Sequence, residues 1–292
     1  MLRRSFARLP GGSLACSSTP ASLRLNPTPN DEMRYIRALT VLGLVPLCLT
    51  TAVITPSRAD HWNLEGTGLS DPSRLVKFRG TYYATVENAT VRDLEIHGNI
   101  VIEAGNVTMT NVRLVSEAPW HALRVMESAT GFTLQDSEID GAGGTVNGVY
   151  GFGTFLRNDI HGVDNGINVI APSTIRDNYI HDFRTSTDGH YDGIEINGGY
   201  DIQIVHNLIV NEHDQTSAVM MNNEFSGLSN ISIENNRLVG GGYTIYLDGR
   251  KGGGAVDDAS IRIIGNEIGG GRWGNFAFYD SQPVVEGNKA RK

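Results

Sequence analysis

Ile175-Arg-Asp-Asn-Tyr-Ile180 decides the fold, because its pattern of apolar, any, polar, Asn, any and apolar residues returns along the chain. The copies lie about 24 residues apart on average, which is typical of one coil of a parallel β-helix. Asn side chains stacked at one position can hydrogen-bond along a column, and Asn tolerates the tight bend there. The repeat predicts an all-β fold, a single-stranded right-handed parallel β-helix (solenoid) of about nine coils. Its fourth position falls at residues 94, 112 and 137 and then at Asn158, Asn178, Asn207, Asn236, Asn266 and Asn288.

A second pattern of polar, small, apolar, variable and apolar residues lies between these copies, as in Asp192-Gly-Ile-Glu-Ile196. By the two-residue period of a strand, its third and fifth residues point inward and its fourth points outward. The alternative fold, a β-sandwich, explains short strands but not the shared Asn position. We therefore expect one outer row, made of Arg124, Tyr150, Asn168, Glu195, Met220 and Tyr246, and one inner column, made of Leu134, Ile175, Ile204, Ile233 and Ile263.

The first 59 residues have the features of a targeting sequence. Residues 33–59 combine a basic start, an apolar middle and a small-residue end, which is typical of a secretory signal peptide. Pro46 interrupts the apolar run and so disfavours the alternative, an uncleaved membrane anchor. Residues 1–32 are predicted to be a mis-called start or an unstructured extension, with a transit peptide as the alternative. Residues 60–292 are predicted to form one β-helix domain that is secreted or periplasmic.

Composition excludes several kinds of chemistry for residues 60–292. Both cysteines, Cys16 and Cys48, precede this region, so Cys-based catalysis and Cys-ligated zinc are excluded. The region carries 30 Asp and Glu against 17 Lys and Arg, a net charge of about −13, which disfavours nucleic acid as a partner. We expect a monomer that has no membrane contact after signal cleavage.

Function is expected where the repeat is interrupted, and the longest interruptions fall between residues 178 and 266. The segment 182–195 gathers acids, a histidine and an arginine around the entry to one strand. Such groups can perform acid–base chemistry, because burial and like charges separate carboxyl pKa values. The alternative is a solvated acidic turn. The candidate catalytic residues are Arg184, Asp188, His190, Asp192 and Glu195.

The candidate substrate-binding residues lie on the outer row and on the loop of the next coil. Tyr150 and Tyr246 can stack on sugar rings, although aromatic residues also simply suit sheets. Arg124 and Asn168 belong to the same row, and His213 lies on the following loop. No metal ligand is assigned, and the sequence establishes no cofactor. Ca²⁺ is the one candidate, and Asp188, Asp192 or Glu195 would hold it.

His190-Tyr-Asp-Gly-Ile194, Gln215-Thr-Ser-Ala218 and Asn235-Asn-Arg-Leu238 with Gly240-Gly-Gly-Tyr-Thr-Ile-Tyr246 resemble the bacterial right-handed β-helix repeat family. The resemblance covers roughly residues 85–290. It implies a fold group that includes polysaccharide lyases, polygalacturonase-like hydrolases, uronan epimerases and phage tailspikes, in which a saccharide lies along an outer groove of a parallel sheet. The catalytic motifs of these enzymes are not complete in this chain, so none of their catalytic residues is transferred.

Three functions are consistent with these observations. The first is a polysaccharide lyase or epimerase that acts on an acidic, uronic-acid polysaccharide, with His190 as the base and Arg184 or Ca²⁺ neutralising the carboxylate. The second is a glycoside hydrolase that uses Asp188 or Asp192 with Glu195 as paired carboxyl groups. The third is a non-catalytic β-helix that binds saccharides or another surface.

Overall fold

The computed structural model describes residues 66–184 and 189–291. Residues 1–32, residues 33–59 and Asp188, for which the sequence makes predictions, lie outside the described residues. The first strands are β1 (Val76–Ala84), β2 (Thr90–Ile102), β3 (Thr108–Val115), β4 (His121–Val125), β5 (Thr133–Gln135), β6 (Glu138–Gly151), β7 (Thr154–Leu156), β8 (Asp159–Val169), β9 (Ser173–Arg176), β10 (Tyr179–His181) and β11 (Asp192–Ile196). They are followed by β12 (Gly199–Val205), β13 (Leu208–Asn211), β14 (Val219–Asn222), β15 (Leu228–Glu234), β16 (Arg237–Gly240), β17 (Tyr243–Asp248), β18 (Ile261–Ile264), β19 (Glu267–Gly269), β20 (Gly274–Tyr279), β21 (Val284–Glu286) and β22 (Lys289–Arg291).

Helical structure in the described part is limited to two 3₁₀ turns, at Pro72–Arg74 and Asp258–Ser260. The first turn is capped by the Asp71 carboxylate, which accepts a hydrogen bond from the backbone N–H of Ser73 at 3.1 Å. Among the described residues, no helix is long and apolar enough to cross a membrane. The predicted all-β class is therefore confirmed for the described chain.

The strands pair in parallel with their counterparts one repeat earlier and later, and so form three columns. The first column contains the strands that follow the shared Asn position, the second contains the strands of the second pattern, and the third contains the strands that precede the shared Asn. Longer strands bend from one column into the next. β6, for example, pairs with β8 in the first column up to Asp140 and in the second column from Asn147, with a register shift between Asp140 and Thr145.

The core is made of apolar side chains that point inward from all three columns. The predicted inner column is confirmed, because β5, β7, β9, β12, β15 and β18 place its members in register. Phe155 joins it between Leu134 and Ile175. Each of these side chains is at most 1% exposed. An apolar residue at every repeat therefore gives one continuous core along the chain.

The six asparagines of the shared position form a hydrogen-bonded column that is buried except at its last member, and we call it the asparagine column. The Asn207 amide donates to the side-chain oxygen of Asn236 at 3.0 Å and to the carbonyl of Ile175 at 2.9 Å. Its own side-chain oxygen accepts from the backbone N–H and the amide of Asn178, both at 2.9 Å. The same bonds recur from Asn158 to Asn288. Buried polar groups of the bend are therefore satisfied between coils rather than within them.

The tight bend lies one residue earlier than the repeat predicts. Arg157, Asp177, His206 and Asn235, each directly before an Asn of the column, have φ between 54° and 57°. The left-handed backbone therefore falls on residues of varied type, and in the last two coils on glycine. Asn is therefore needed at the shared position because its amide forms the hydrogen bonds between coils. The left-handed backbone lies on the residue before it.

We predict that Asn207→Ala lowers the free energy of unfolding by about 2–5 kcal/mol, because it leaves the Ile175 carbonyl and the Asn178 N–H buried without partners. Urea titration followed by circular dichroism measures the loss. The matched control is Asn288→Ala, at the last, partly exposed member of the column, where water can replace the lost bonds. Equal losses of unfolding free energy in the two variants would contradict the explanation that burial makes the lost hydrogen bonds costly.

Candidate functional site

The outer face of the second column carries the row of side chains that the second pattern predicts. Parallel register places Arg124 beside Tyr150, Tyr150 beside Asn168, and Asn168 beside Glu195. It continues through Met220 to Tyr246. Six neighbouring strands about 4.8 Å apart make this outer row about 24 Å long. Turns follow the strands of this row, whereas β6 and β8 enter it directly from the first column.

Glu195 is the polar centre of the outer row. One of its carboxylate oxygens accepts from the amides of Asn165 at 3.0 Å and Asn168 at 2.5 Å, and the other accepts from the Asn197 amide at 2.8 Å. The side chain remains half-buried. Three amide donors from two neighbouring coils therefore fix the orientation of a carboxylate that solvent can still reach.

These amides belong to a longer chain of hydrogen bonds along the face. Asn165 donates to Asn147 at 3.3 Å, and the Asn147 amide lies 3.1 Å from His121 Nδ1. On the other side of Glu195, the Asn222 amide donates to Asn197 at 2.6 Å. The chain spans neighbouring coils of the second column, so the position of Glu195 depends on several coils together.

Asp192 begins the strand that carries Glu195, but its side chain is only 1% exposed. It accepts a hydrogen bond from the backbone N–H of Ser217 at 3.0 Å. Burial and, to a lesser extent, the charge of Glu195 raise the pKa of Asp192 well above its ordinary value of 3.8. Folding therefore favours the protonated form of Asp192 more than water does, and the buried side chain lies beside the solvent-accessible Glu195.

Arg184 is engaged by Asp164. The guanidinium makes two hydrogen bonds to the Asp164 carboxylate, of which the Nη2–Oδ2 distance is 2.6 Å, and both side chains are largely buried. A bidentate pair of this kind is strong. The predicted role of Arg184, neutralising a substrate carboxylate, would require this ion pair to open.

His190 is exposed two residues before Asp192, at the entry to β11. Within residues 66–184 and 189–291, we find no hydrogen bond, ion pair or ring contact for its imidazole. The other described histidines all have such contacts; examples are His97 with Glu95 at 2.7 Å and His206 with Asp177 at 2.5 Å. His190 is therefore the described histidine whose imidazole is most available to a ligand.

The remaining predicted binding residues divide into open and stacked side chains. Arg124 is exposed on the outer row, whereas Tyr150 stacks on His121 with ring centroids 4.4 Å apart. His213 stacks on Tyr191, which is buried, at 3.6 Å. Tyr246 lies 5.3 Å from the ring of Tyr279. Tyr150 and Tyr246 thus flank Glu195 along the row, while His213 supports the loop before it.

The repeat does not by itself identify Asn165 and Asn197 as partners of Glu195. Alignment of the repeats places Asn165 next to the strand of Glu195, because Asn165 occupies the same position of the second pattern as Asp192. Asn197 lies two residues after Glu195. Side chains two residues apart along a strand point to the same side, so the spacing alone predicts this contact. The Asp164–Arg184 ion pair joins two coils at non-repeating positions and has no such signal.

A second titratable cluster lies on the outer face of the first column. His181 contacts Asp159 at 2.8 Å and Asp182 at 2.9 Å, and its ring lies 5.5 Å from that of His161. The hydrogen bond with Glu138 is the largest cause that raises the pKa of His161. Among residues 66–184 and 189–291, no group of three or more His, Asp or Glu side chains is arranged to hold a metal ion. Asp188, one of the three residues named for a possible Ca²⁺ site, lies outside the described residues, so that site stays a prediction.

Comparisons with known proteins give one similar solved structure. No family model and no curated protein matches the chain. The mannuronan C-5 epimerase AlgE6 A-module from Azotobacter vinelandii is similar at 15% sequence identity, covering 75% of this chain and 81% of that one, with a TM-score of 0.38. This likeness is too low to transfer the role of any residue.

We predict opposite pH effects for Asp192→Asn and Asp248→Asn. Because the folded pKa of Asp192 is raised, its contribution to stability is complete below about pH 3.8 and falls as pH rises through the folded pKa. Asp192→Asn should therefore increase the free energy of unfolding at pH 7–8 and reduce its decline with pH. The amide oxygen can still accept from Ser217.

Asp248 is the matched control, because it is also buried but pairs with Arg250, which lowers its pKa. Its contribution is present above pH 3.8 and lost at lower pH, so Asp248→Asn should reduce stability at pH 7. Urea titrations at several pH values compare each variant with the parent. If Asp192→Asn also destabilises at pH 8, the neutral form of Asp192 is ruled out.

Proposed function

We propose that this chain is a secreted, carbohydrate-active right-handed parallel β-helix that acts on an acidic polysaccharide as a lyase or an epimerase. About nine coils are proposed from the three columns of parallel strands. Right-handed winding is supported by the general rule that crossovers between parallel strands of one sheet are right-handed in about 98% of cases. In this proposal the polysaccharide lies along the outer row, with His190 as the base.

The observation that carries the proposal is the fixed Glu195 carboxylate between aromatic rings on an open face about 24 Å long. Sugar hydroxyl groups can donate hydrogen bonds to such a carboxylate, and the rings of Tyr150 and Tyr246 can pack against the apolar faces of sugars. The row is long enough for several consecutive sugar residues. A linear polysaccharide therefore matches it better than a compact metabolite does.

Removal of the C5 proton from a uronic acid is the reaction that His190 best supports. An exposed imidazole can take that proton, after which the electron pair either expels the C4 oxygen to form a C4–C5 double bond or is reprotonated on the opposite face. The exposed Arg124 of the same row can pair with a carboxylate further along the polymer. Glu195 repels carboxylates, so it would contact hydroxyl groups instead.

A hydrolase is less well supported, although Asp192 and Glu195 supply a neutral acid and a second carboxyl group as that reaction needs. Asp192 is 1% exposed, and a general acid must reach the glycosidic oxygen. The neutral Asp192 would have to become exposed during the reaction. The elimination or epimerisation route requires no such movement.

The test is the full chain incubated in D₂O with a panel of uronic-acid polysaccharides, followed by NMR of the C5 position and by ultraviolet absorbance of unsaturated products. Both enzymes remove the C5 proton: an epimerase replaces it with deuterium from solvent, whereas a lyase forms the C4–C5 double bond and leaves no hydrogen at C5. His190→Ala should lower turnover by about 10²–10⁴-fold with no change in fold.

His206→Ala is the control, because His206 is also exposed but contacts Asp177 away from the outer row. It should retain full turnover. New reducing ends with neither deuterium at C5 nor an unsaturated product would support the hydrolase instead, and saturable binding without any product would support a non-catalytic protein. Full activity of His190→Ala would remove His190 from the mechanism.

A further inference from the structure

A second concave surface, which we call the side groove, lies where the chain turns from the second column to the third. It has a volume of about 900 Å³ and spans the turns after β4, β6, β8 and β14. The residues that matter below are Glu127, Tyr150, Phe152, Asp201, Gln203 and Phe225. Tyr150 belongs to both the side groove and the outer row, so the two surfaces are continuous.

Phe225 is an exposed aromatic ring on an anchored loop. Its side chain is 76% exposed, the highest value among the large exposed hydrophobic residues of the described chain. The loop is anchored by the buried Asn223, whose amide donates to the carbonyls of Gly249 at 3.0 Å and Gly254 at 2.6 Å. The Phe225 N–H donates to the Asn197 carbonyl at 2.9 Å. The backbone beneath this ring is therefore fixed although the ring faces solvent.

Gly198 allows this loop to approach the end of β11. A Cβ atom at Gly198, whose φ is 124°, would lie 2.5 Å from the Ser226 hydroxyl and 2.6 Å from its backbone nitrogen. Only glycine fits this approach without moving the loop. The local sequence thus holds Phe225 at the edge of the side groove, on the same side as Phe152 and Tyr150.

The polar lining of the side groove accepts hydrogen bonds and repels anions. Glu127 and Asp201 are exposed carboxylates, and Gln203 and threonine hydroxyls lie between them. Among its described lining residues there is no Lys, Arg or His. A carboxylate placed here would meet two like charges and no cation. An uncharged ligand with many hydroxyl groups would find acceptors beside three aromatic rings.

We propose that the side groove binds a neutral hexose residue, which in the natural substrate is a branch of the polymer whose acidic backbone lies on the outer row. The assignment of the backbone rests on the proposed function, whereas binding of a neutral sugar by the groove does not. The volume is within the range of small-molecule sites and accommodates one or two sugar rings. The shared Tyr150 marks where the branch leaves the backbone.

Calorimetric titration of the full chain with neutral hexaoses of glucose, galactose and mannose tests the proposal. At least one should bind, and Phe225→Ala should weaken that binding by 10-fold or more. Gln203→Ala provides a second variant and should weaken it severalfold. Tyr200→Ala is the matched control, because Tyr200 is an aromatic residue on β12 that is 55% exposed and does not line the groove.

Two outcomes overturn the proposal: no neutral hexaose binds, or Phe225→Ala binds as well as Tyr200→Ala does. Circular dichroism confirms that each variant is folded. The proposed function is tested separately, because Phe225→Ala should leave removal of the C5 proton from an unbranched uronic-acid polymer unchanged, whereas His190→Ala should lower it by about 10²–10⁴-fold and leave neutral-hexaose affinity unchanged. The results therefore distinguish a failure of the side-groove proposal from a failure of the proposed function.

Discussion

The hydrogen bonds of the asparagine column keep successive coils in register, and the rest of the structure depends on that register. Each amide from Asn158 to Asn266 bonds both to the next Asn and to a backbone carbonyl in another coil, as that of Asn207 does. In a strand, a slip of one residue moves every side chain to the opposite face. A slip of β11 against β8 would turn Glu195 towards the core and expose Ile194 or Ile196. The same buried polar bonds therefore hold the fold and orient the outer row.

The candidate site adds to this scaffold a layer of partners that lie on different coils. Glu195 is oriented by Asn168 of the preceding coil and by Asn197 of its own. Asp192 is held by Ser217 of the following coil. The contacts of Glu195 with the preceding coil and of Asp192 with Ser217 are close only because parallel pairing brings residues 25 to 30 positions apart together. The site is thus a property of stacked coils, and no isolated segment of the chain would form it.

Sequence periodicity predicted the parts of the structure that repeat. The inner column and the outer row follow from a period of two within strands and of about 24 between coils. What it did not predict falls where the repeat is broken. The Asp164–Arg184 pair joins two coils at positions that do not repeat. The bend residue was misplaced by one position because Asn suits both a bend and an amide ladder.

The positions of the charged groups reduce the repulsion expected between an acidic protein and the proposed acidic substrate. Several carboxylates are paired, as Asp136 is with Arg157 at 2.8 Å and Glu138 is with Arg113 at 3.0 Å. On the outer row, burial favours the neutral form of Asp192, and amides solvate Glu195. The unbalanced charge at Glu127 and Asp201 lies in the side groove instead. An anionic backbone would therefore meet less repulsion along the row than in the groove, which is the difference that the two proposed sugar-binding surfaces require.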